Sequence, residues 1–223
     1  METSSKAPQV TKVAVLDSAE RLFAARGFNA TSVRAITDDA QANLGAVNYH
    51  FESKDALILA VLRRRMKPLN AERVALLDRF EADAKGKPLS IEKILEALFR
   101  PPTELVARRA KHGRFFIRLM AQCLAEPGAF LKPLIVEEFA EKNRRFHAAI
   151  QRSLPYLTSD EVHWRLHFAM GVFLHTIANA HVLELSSRRR CRVTEVEQTL
   201  ARMIEFCAAG FVAGKEEKPK GRK

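Results

Sequence analysis

Cysteine is scarce in this chain. Cys123, Cys191 and Cys207 are odd in number, lie far apart and form no CxxC pair. That argues against a disulfide framework and a zinc ribbon, and fits a reducing, cytoplasmic setting. The opening METSSKAPQV has no apolar stretch of the signal-peptide kind. Long hydrophobic runs are missing as well. The most apolar segment, 168–185, is interrupted by His175, Asn179, His181 and Glu184, so it reads as a buried helix and no membrane partner is expected. There is no GxSxG, P-loop or dinucleotide fingerprint, and no catalytic residue or cofactor is assigned. His163 and His167 stand at i,i+4, a spacing that suits a metal. No third ligand accompanies them, and core or interface histidines use that spacing more often, so no metal is assigned.

What is present is a helical composition. Of 223 residues 47% are hydrophobic and 28% charged, enough for one large domain or two small ones. Val, Ile and Thr are scattered, nothing reads as a strand, and the expected fold is all-α. The net charge of +11 invites a nucleic-acid reading, but its location matters. Residues 1–55 hold six basic and seven acidic side chains, a sum of −1. The excess lies in Arg63–Arg65, around 108–111, in Arg188–Arg192 and in the lysine-rich end. Global charge alone is a poor reason to assign DNA binding. At this level an unrecognised enzyme, or a helical module that binds acidic partners or membrane surfaces, stays open.

Hydrophobic spacing and capping residues divide the chain. Residues 1–8 read as a flexible arm. A helix over 10–26 has Val13, Leu16, Ala19, Leu22 and Phe23 on one face, and Gly27 stops it. Thr31 and Ser32 offer N-caps to a helix over 33–40, Asn43 to one over 44–50, and Ser53 to a long one over 54–81 with a kink expected at Pro68. Two short helices joined by a tight turn form a helix-turn-helix. Further helices are expected near 90–109, 113–125 and 129–154. Two capping boxes, Thr158 with Glu161 and Thr194 with Glu197, open helices near 159–185 and 195–212. The expected division is 1–8 arm, 9–55 helix-turn-helix, 56–213 larger helical domain and 214–223 basic disordered tail.

Several motifs then occur in one order: Leu22, Phe23, Gly27 and Phe28 at the end of the first helix, Thr31-Ser32-Val33-Arg34, and Tyr49-His50-Phe51 followed by Ser53-Lys54. Together they resemble the N-terminal DNA-binding domain of TetR-type transcriptional regulators. Leu16, Ala19, Phe23, Phe28, Val33, Ile36, Ala40, Val47 and Phe51 can close one small core. The resemblance implies phosphate contacts from Thr31, Tyr49, His50 and Lys54, and a groove-facing set of Arg34, Asn43, Gly45, Ala46 and Asn48. The chain departs from the family at Gln41, where many relatives have glycine, so strained backbone is expected there. It departs again at Asn48, where many have an aromatic residue.

The resemblance further implies a C-terminal ligand-binding and dimerisation domain, and a homodimer reading a palindromic operator in double-stranded DNA. Trp164, Phe168, Val172 and His175 on one helix, with Val196, Leu200, Met203, Ile204 and Cys207 on the last, are the dimer-interface candidates. Phe99, Phe115, Phe116, Leu119, Cys123 and Phe146 are core by default and the candidate lining for an effector. The forms NLGAVNYHFESKDAL, EPGAFLKPLIVEEF and WRLHFAMGVFLHTIA resemble a subgroup that includes regulators of fatty-acid metabolism. A small apolar effector, a fatty acid or acyl-CoA, is therefore expected, with Arg63, Arg118 or Arg144 at its polar head. The expected function is a ligand-responsive repressor.

Overall fold

The computed structural model describes residues 6–107, 111–125, 128, 130–193 and 196–213. The tail at 214–223, Thr194 of the second capping box and residues 1–5 of the arm lie outside them. Every element among the described residues is helical. By packing the chain divides into two compact units, Met1–Ala71 with Leu105–Glu141, and Glu72–Glu104 with Lys142–Lys223.

In the first unit, α1 (Lys6–Arg26) packs on α2 (Val33–Asp39), α3 (Leu44–Phe51) and α6 (Lys111–Ala125). Helix α1 starts inside the stretch expected to be an arm. Pro8 is compatible with its first turn, where the missing N–H has no partner to lose. Gly27 closes α1 with φ +83°, its N–H donating to Phe23 O at 2.8 Å. Leu16, Ala19, Phe23, Phe28, Ile36, Val47 and Phe51 are buried as expected, whereas Val33 and Ala40 are half-buried. Phe28 touches Phe23 and Phe130, each at a ring separation of 5.4 Å.

The 30-residue α4 (Lys54–Asp83) runs continuously through Pro68. Its three consecutive arginines each take different acidic partners. Arg65 forks onto Glu20 through Nε (3.0 and 3.1 Å) and Nη2 (3.0 Å), Arg64 donates to Asp17 at 2.6 Å, and Arg63 pairs with Glu137 and Glu138. The helix expected over 129–154 is interrupted. It becomes a short turn, α7 (Leu131–Pro133), a π-helical stretch Leu134–Glu138, and α8 (Ala140–Ser153). Wide π winding breaks the regular carbonyl ladder, and Asn70 of α4 donates to Glu138 O at 2.8 Å where that stretch ends.

The second unit contains the end of α4, most of α5 (Ile91–Ala107), α8, α9 (Ser159–Ala178), α10 (Ala180–Ser186) and α11 (Val196–Val212). Pro101 and Pro102 sit inside α5. Pro102 has no N–H for the Leu98 carbonyl four residues back. The buried Arg73 supplies the missing donor, Nε to Leu98 O at 2.9 Å. The first capping box is present: Thr158 Oγ1 accepts from Glu161 N, and the Glu161 carboxylate accepts from Thr158 N at 2.7 Å. The helix expected over 159–185 is broken at Asn179 into α9 and α10, with a bend of 73°. Asn179 competes for helix hydrogen bonds through its own side chain, and its Nδ2 lies 3.3 Å from His175 Nδ1.

Burial corrects two expectations. Over 168–185 only Ala169 and Phe173 are buried within the protomer, so this is not a buried helix; the face with Phe168 and Leu185 is open. On α11, Leu200, Met203 and Cys207 are buried within the protomer, so their apolar stripe is internal packing. Phe206 is the large exposed apolar side chain in the middle of that helix, at 70%. Among the described residues, no single helix is long and apolar enough to cross a membrane.

Candidate nucleic-acid interface

The turn between α2 and α3 is held by local hydrogen bonds. Ser32, not Thr31, caps α2 by accepting from Ala35 N at 3.1 Å. Asn43 Oδ1 accepts from Gly45 N at 2.8 Å, which fixes the first turn of α3. Gln41 adopts φ +50°, the strained left-handed conformation expected where relatives use glycine. Ser53 caps α4 by accepting from Ala56 N at 3.1 Å, which places Lys54 in its first turn.

Most of the expected contact residues are accessible. Arg34, Asn43 and Gly45 are exposed, Lys54 and His50 half-buried, and Tyr49 is 83% exposed. Tyr49 and His50 meet edge to face at 5.3 Å, and His50 leans on the buried Phe51 at 6.2 Å, so the ring that anchors the core also steadies the two outer rings. The side chains of Ala46 and Asn48 lie outside the described residues.

Thr31 is a correction. It is completely buried, and its hydroxyl donates to Gly27 O at 2.8 Å, with Leu22 O at 3.3 Å. It closes α1 and is withheld from DNA. A threonine at a helix start is ambiguous in sequence, because the same hydroxyl can cap forward or bond back to the helix before it. Arg63 is a second correction. Its ion pairs with Glu137 and Glu138 commit it within its own unit, so it does not serve a ligand's polar head. Of the other two head candidates, Arg144 is exposed and the side chain of Arg118 lies outside the described residues.

Sequence reasoning missed how charge is redistributed. Glu20 is buried, and Asp17 and Glu20 are tied to Arg64 and Arg65 of α4, beyond residue 55. Counting those two arginines turns the deficit of one charge in residues 1–55 into an excess of one. Arg21 pairs with Asp39, and the Ser18 hydroxyl lies within reach of both Asp39 and Ile36 O (3.2 Å). Asp17, Glu20 and Asp39 are thus bound within the protomer, while Arg34 is exposed and His50 and Lys54 are half-buried.

A short helix presenting exposed polar and aromatic side chains, set by a tight turn on a three-helix core, defines a helix-turn-helix DNA-binding domain. Residues 15–61 match the family model for bacterial regulatory proteins of the tetR family, and residues 96–210 match the tetracyclin repressor-like C-terminal domain. The chain belongs to the TetR family. It is 26% identical over 149 residues to the HTH-type transcriptional regulator UidR of Escherichia coli (strain K12), covering 65% of this chain and 70% of UidR. It is also 42% identical over 62 residues to the HTH-type transcriptional repressor KstR2 of Rhodococcus jostii (strain RHA1), covering 28% of this chain and only 29% of KstR2. In fold it is similar to the hemolysin II transcriptional regulator HlyIIR, with TM-score 0.59, 16% identity and coverage of 90% of this chain and 98% of that one. The TetR-family regulator PfmR from Thermus thermophilus is similar too, with TM-score 0.60, 18% identity and coverage of 87% and 93%.

Proposed function

We propose that this TetR-family regulator represses transcription as a homodimer on a palindromic operator and is released by a small apolar effector. The observation that carries the DNA part is Tyr49, solvent-exposed at the end of α3, beside His50 and Lys54. Its hydroxyl, the His50 ring and the Lys54 ammonium suit phosphate oxygens, while Arg34, Asn43 and Asn48 suit base edges. Asn43 Oδ1 is engaged with Gly45, which leaves its Nδ2 as the group for the groove. The dimer reading is supported by Trp164 and Phe168 on α9, stacked at 5.6 Å and both more than half exposed. His175 lies on the same helix and is exposed, Val172 is half-buried, and on α11 Val196 and Ile204 are half-buried.

The effector is proposed to be elongated and apolar, a fatty acid or its CoA thioester. Support comes from the phenylalanine supply. Phe99 and Phe146 are buried in the second unit, Phe99 stacked on Phe173 at 5.5 Å. Phe116, Leu119 and Cys123 are buried in the first, and the side chain of Phe115 lies outside the described residues. Each methylene of an acyl chain taken out of water contributes roughly 0.8 kcal/mol. An effector acts only if it favours the state that does not bind DNA; a tenfold release needs about 1.4 kcal/mol of differential binding. Helix α4 begins at Lys54 beside the DNA contacts and is the proposed lever.

A gel-shift series with random competitor tests the DNA assignment. Retention is expected to depend on a palindrome, and Lys54→Ala is expected to weaken operator and random DNA alike, lowering the log–log salt slope by about one. An unchanged slope would remove Lys54 from the phosphate contacts. Calorimetry over a chain-length series of acids and CoA esters tests the effector. Affinity that rises with length and then stops is expected, and flat or absent binding would retire the acyl reading.

A further inference from the structure

Two cavities in the second unit differ in charge. An open groove of about 520 Å³ against α5 and α11 holds four glutamates, two of which, Glu96 and Glu197, are paired with Arg100. The other, of about 440 Å³, lies half open among α9, α10, the 189–193 segment and α11, and among the described residues its lining has no carboxylate. Arg189, Arg190, Arg192 and Arg202 converge on it over an apolar floor that includes Met203 and Phe206. Among the described residues none of these four arginines is ion-paired, in contrast to Arg63, Arg64 and Arg65, all of which are. Four like charges gathered there repel one another, and local hydrogen bonds shape the segment that carries three of them. Arg188 and Arg189 are held at φ +51° and +62°, Arg189 N donates to Glu184 O, and Arg190 Nε donates to Ser187 O at 3.2 Å. Strain of this kind persists where surrounding structure imposes it, and it gathers at binding sites.

We infer that this cavity is a binding site for a small organic phosphate. Guanidinium groups pair with phosphate oxygens two at a time. The volume is that of an ordinary ligand pocket and is too large for inorganic phosphate alone. The apolar floor offers a surface to the organic part. This site shares no residue with the proposed acyl lining, so either can fail without the other.

Calorimetry on the full chain tests it, with ADP, adenosine and inorganic pyrophosphate as probes. ADP and pyrophosphate are expected to bind and adenosine to bind far more weakly. Arg192→Gln and Arg202→Gln, both at exposed positions, are each expected to weaken ADP roughly tenfold, the loss of one charge-assisted contact. Their melting midpoints are expected not to fall. Absence of ADP binding at millimolar concentration, or equal binding by the variants, would overturn the assignment. So would heat that appears only with random duplex DNA or with phosphatidylglycerol vesicles, because the arginines would then serve a macromolecular or lipid phosphate.

Discussion

Replacing Arg65 by Met isolates the interaction that ties α4 to α1. Glu20 is 1% exposed and accepts from both Nε and Nη2 of Arg65, whose own side chain is a quarter exposed. With the guanidinium gone, a carboxylate stays buried without its charge partner. Breaking a buried pair from one side costs about 3–5 kcal/mol, whereas replacing both partners by apolar groups of similar volume is nearly neutral. The single variant is therefore expected to lose about 4 kcal/mol, and Glu20→Met with Arg65→Met to stay within about 1 kcal/mol of the parent. Urea unfolding followed by far-UV circular dichroism measures both. At a slope of about 2.5 kcal/mol per molar, the single variant's midpoint falls by roughly 1.5 M. A loss below about 1 kcal/mol in the single variant, or a double variant whose loss is the sum of the singles, would refute the buried-pair reasoning.

Three further outcomes are expected. Trp164→Glu with Phe168→Glu puts charge on the open face of α9 and should yield a monomer by light scattering; a dimer that survives both changes places the interface elsewhere. Burial, reinforced by the neighbouring Arg73 charge, pushes the Lys142 ammonium down to about 7. Between that value and the ordinary lysine range the folded chain holds fewer protons than the unfolded one, so stability should rise with pH by at most about 1.4 kcal/mol per unit. Lys142→Met should flatten that slope, and parallel curves would show that Lys142 does not titrate there. Burial pushes the Cys123 and Cys207 thiols up to about 11, so alkylation of the folded chain at mildly alkaline pH should modify the half-exposed Cys191 first; mass mapping that finds Cys207 first would contradict this.

The sequence by itself determined the local devices. Gly27, Ser32, Asn43, Ser53 and the Thr158–Glu161 box announce helix ends because capping uses groups within four residues of one another. The hydrophobic spacing around Phe23, Phe28 and Phe51 announced the three-helix core for the same reason. Tertiary structure decided whatever depends on partners far along the chain. Thr31 turned inward because Leu22 and Gly27 carbonyls lie above it. Arg63, Arg64 and Arg65 look like a free basic patch in sequence, yet the carboxylates they neutralise are 45 or more residues away. Leu200, Met203 and Cys207 form an apolar stripe whether it faces a second subunit or the protomer's own core, and only the packing of α11 within the protomer chose the core. Periodicity fixes which residues share a face; it does not say what that face meets.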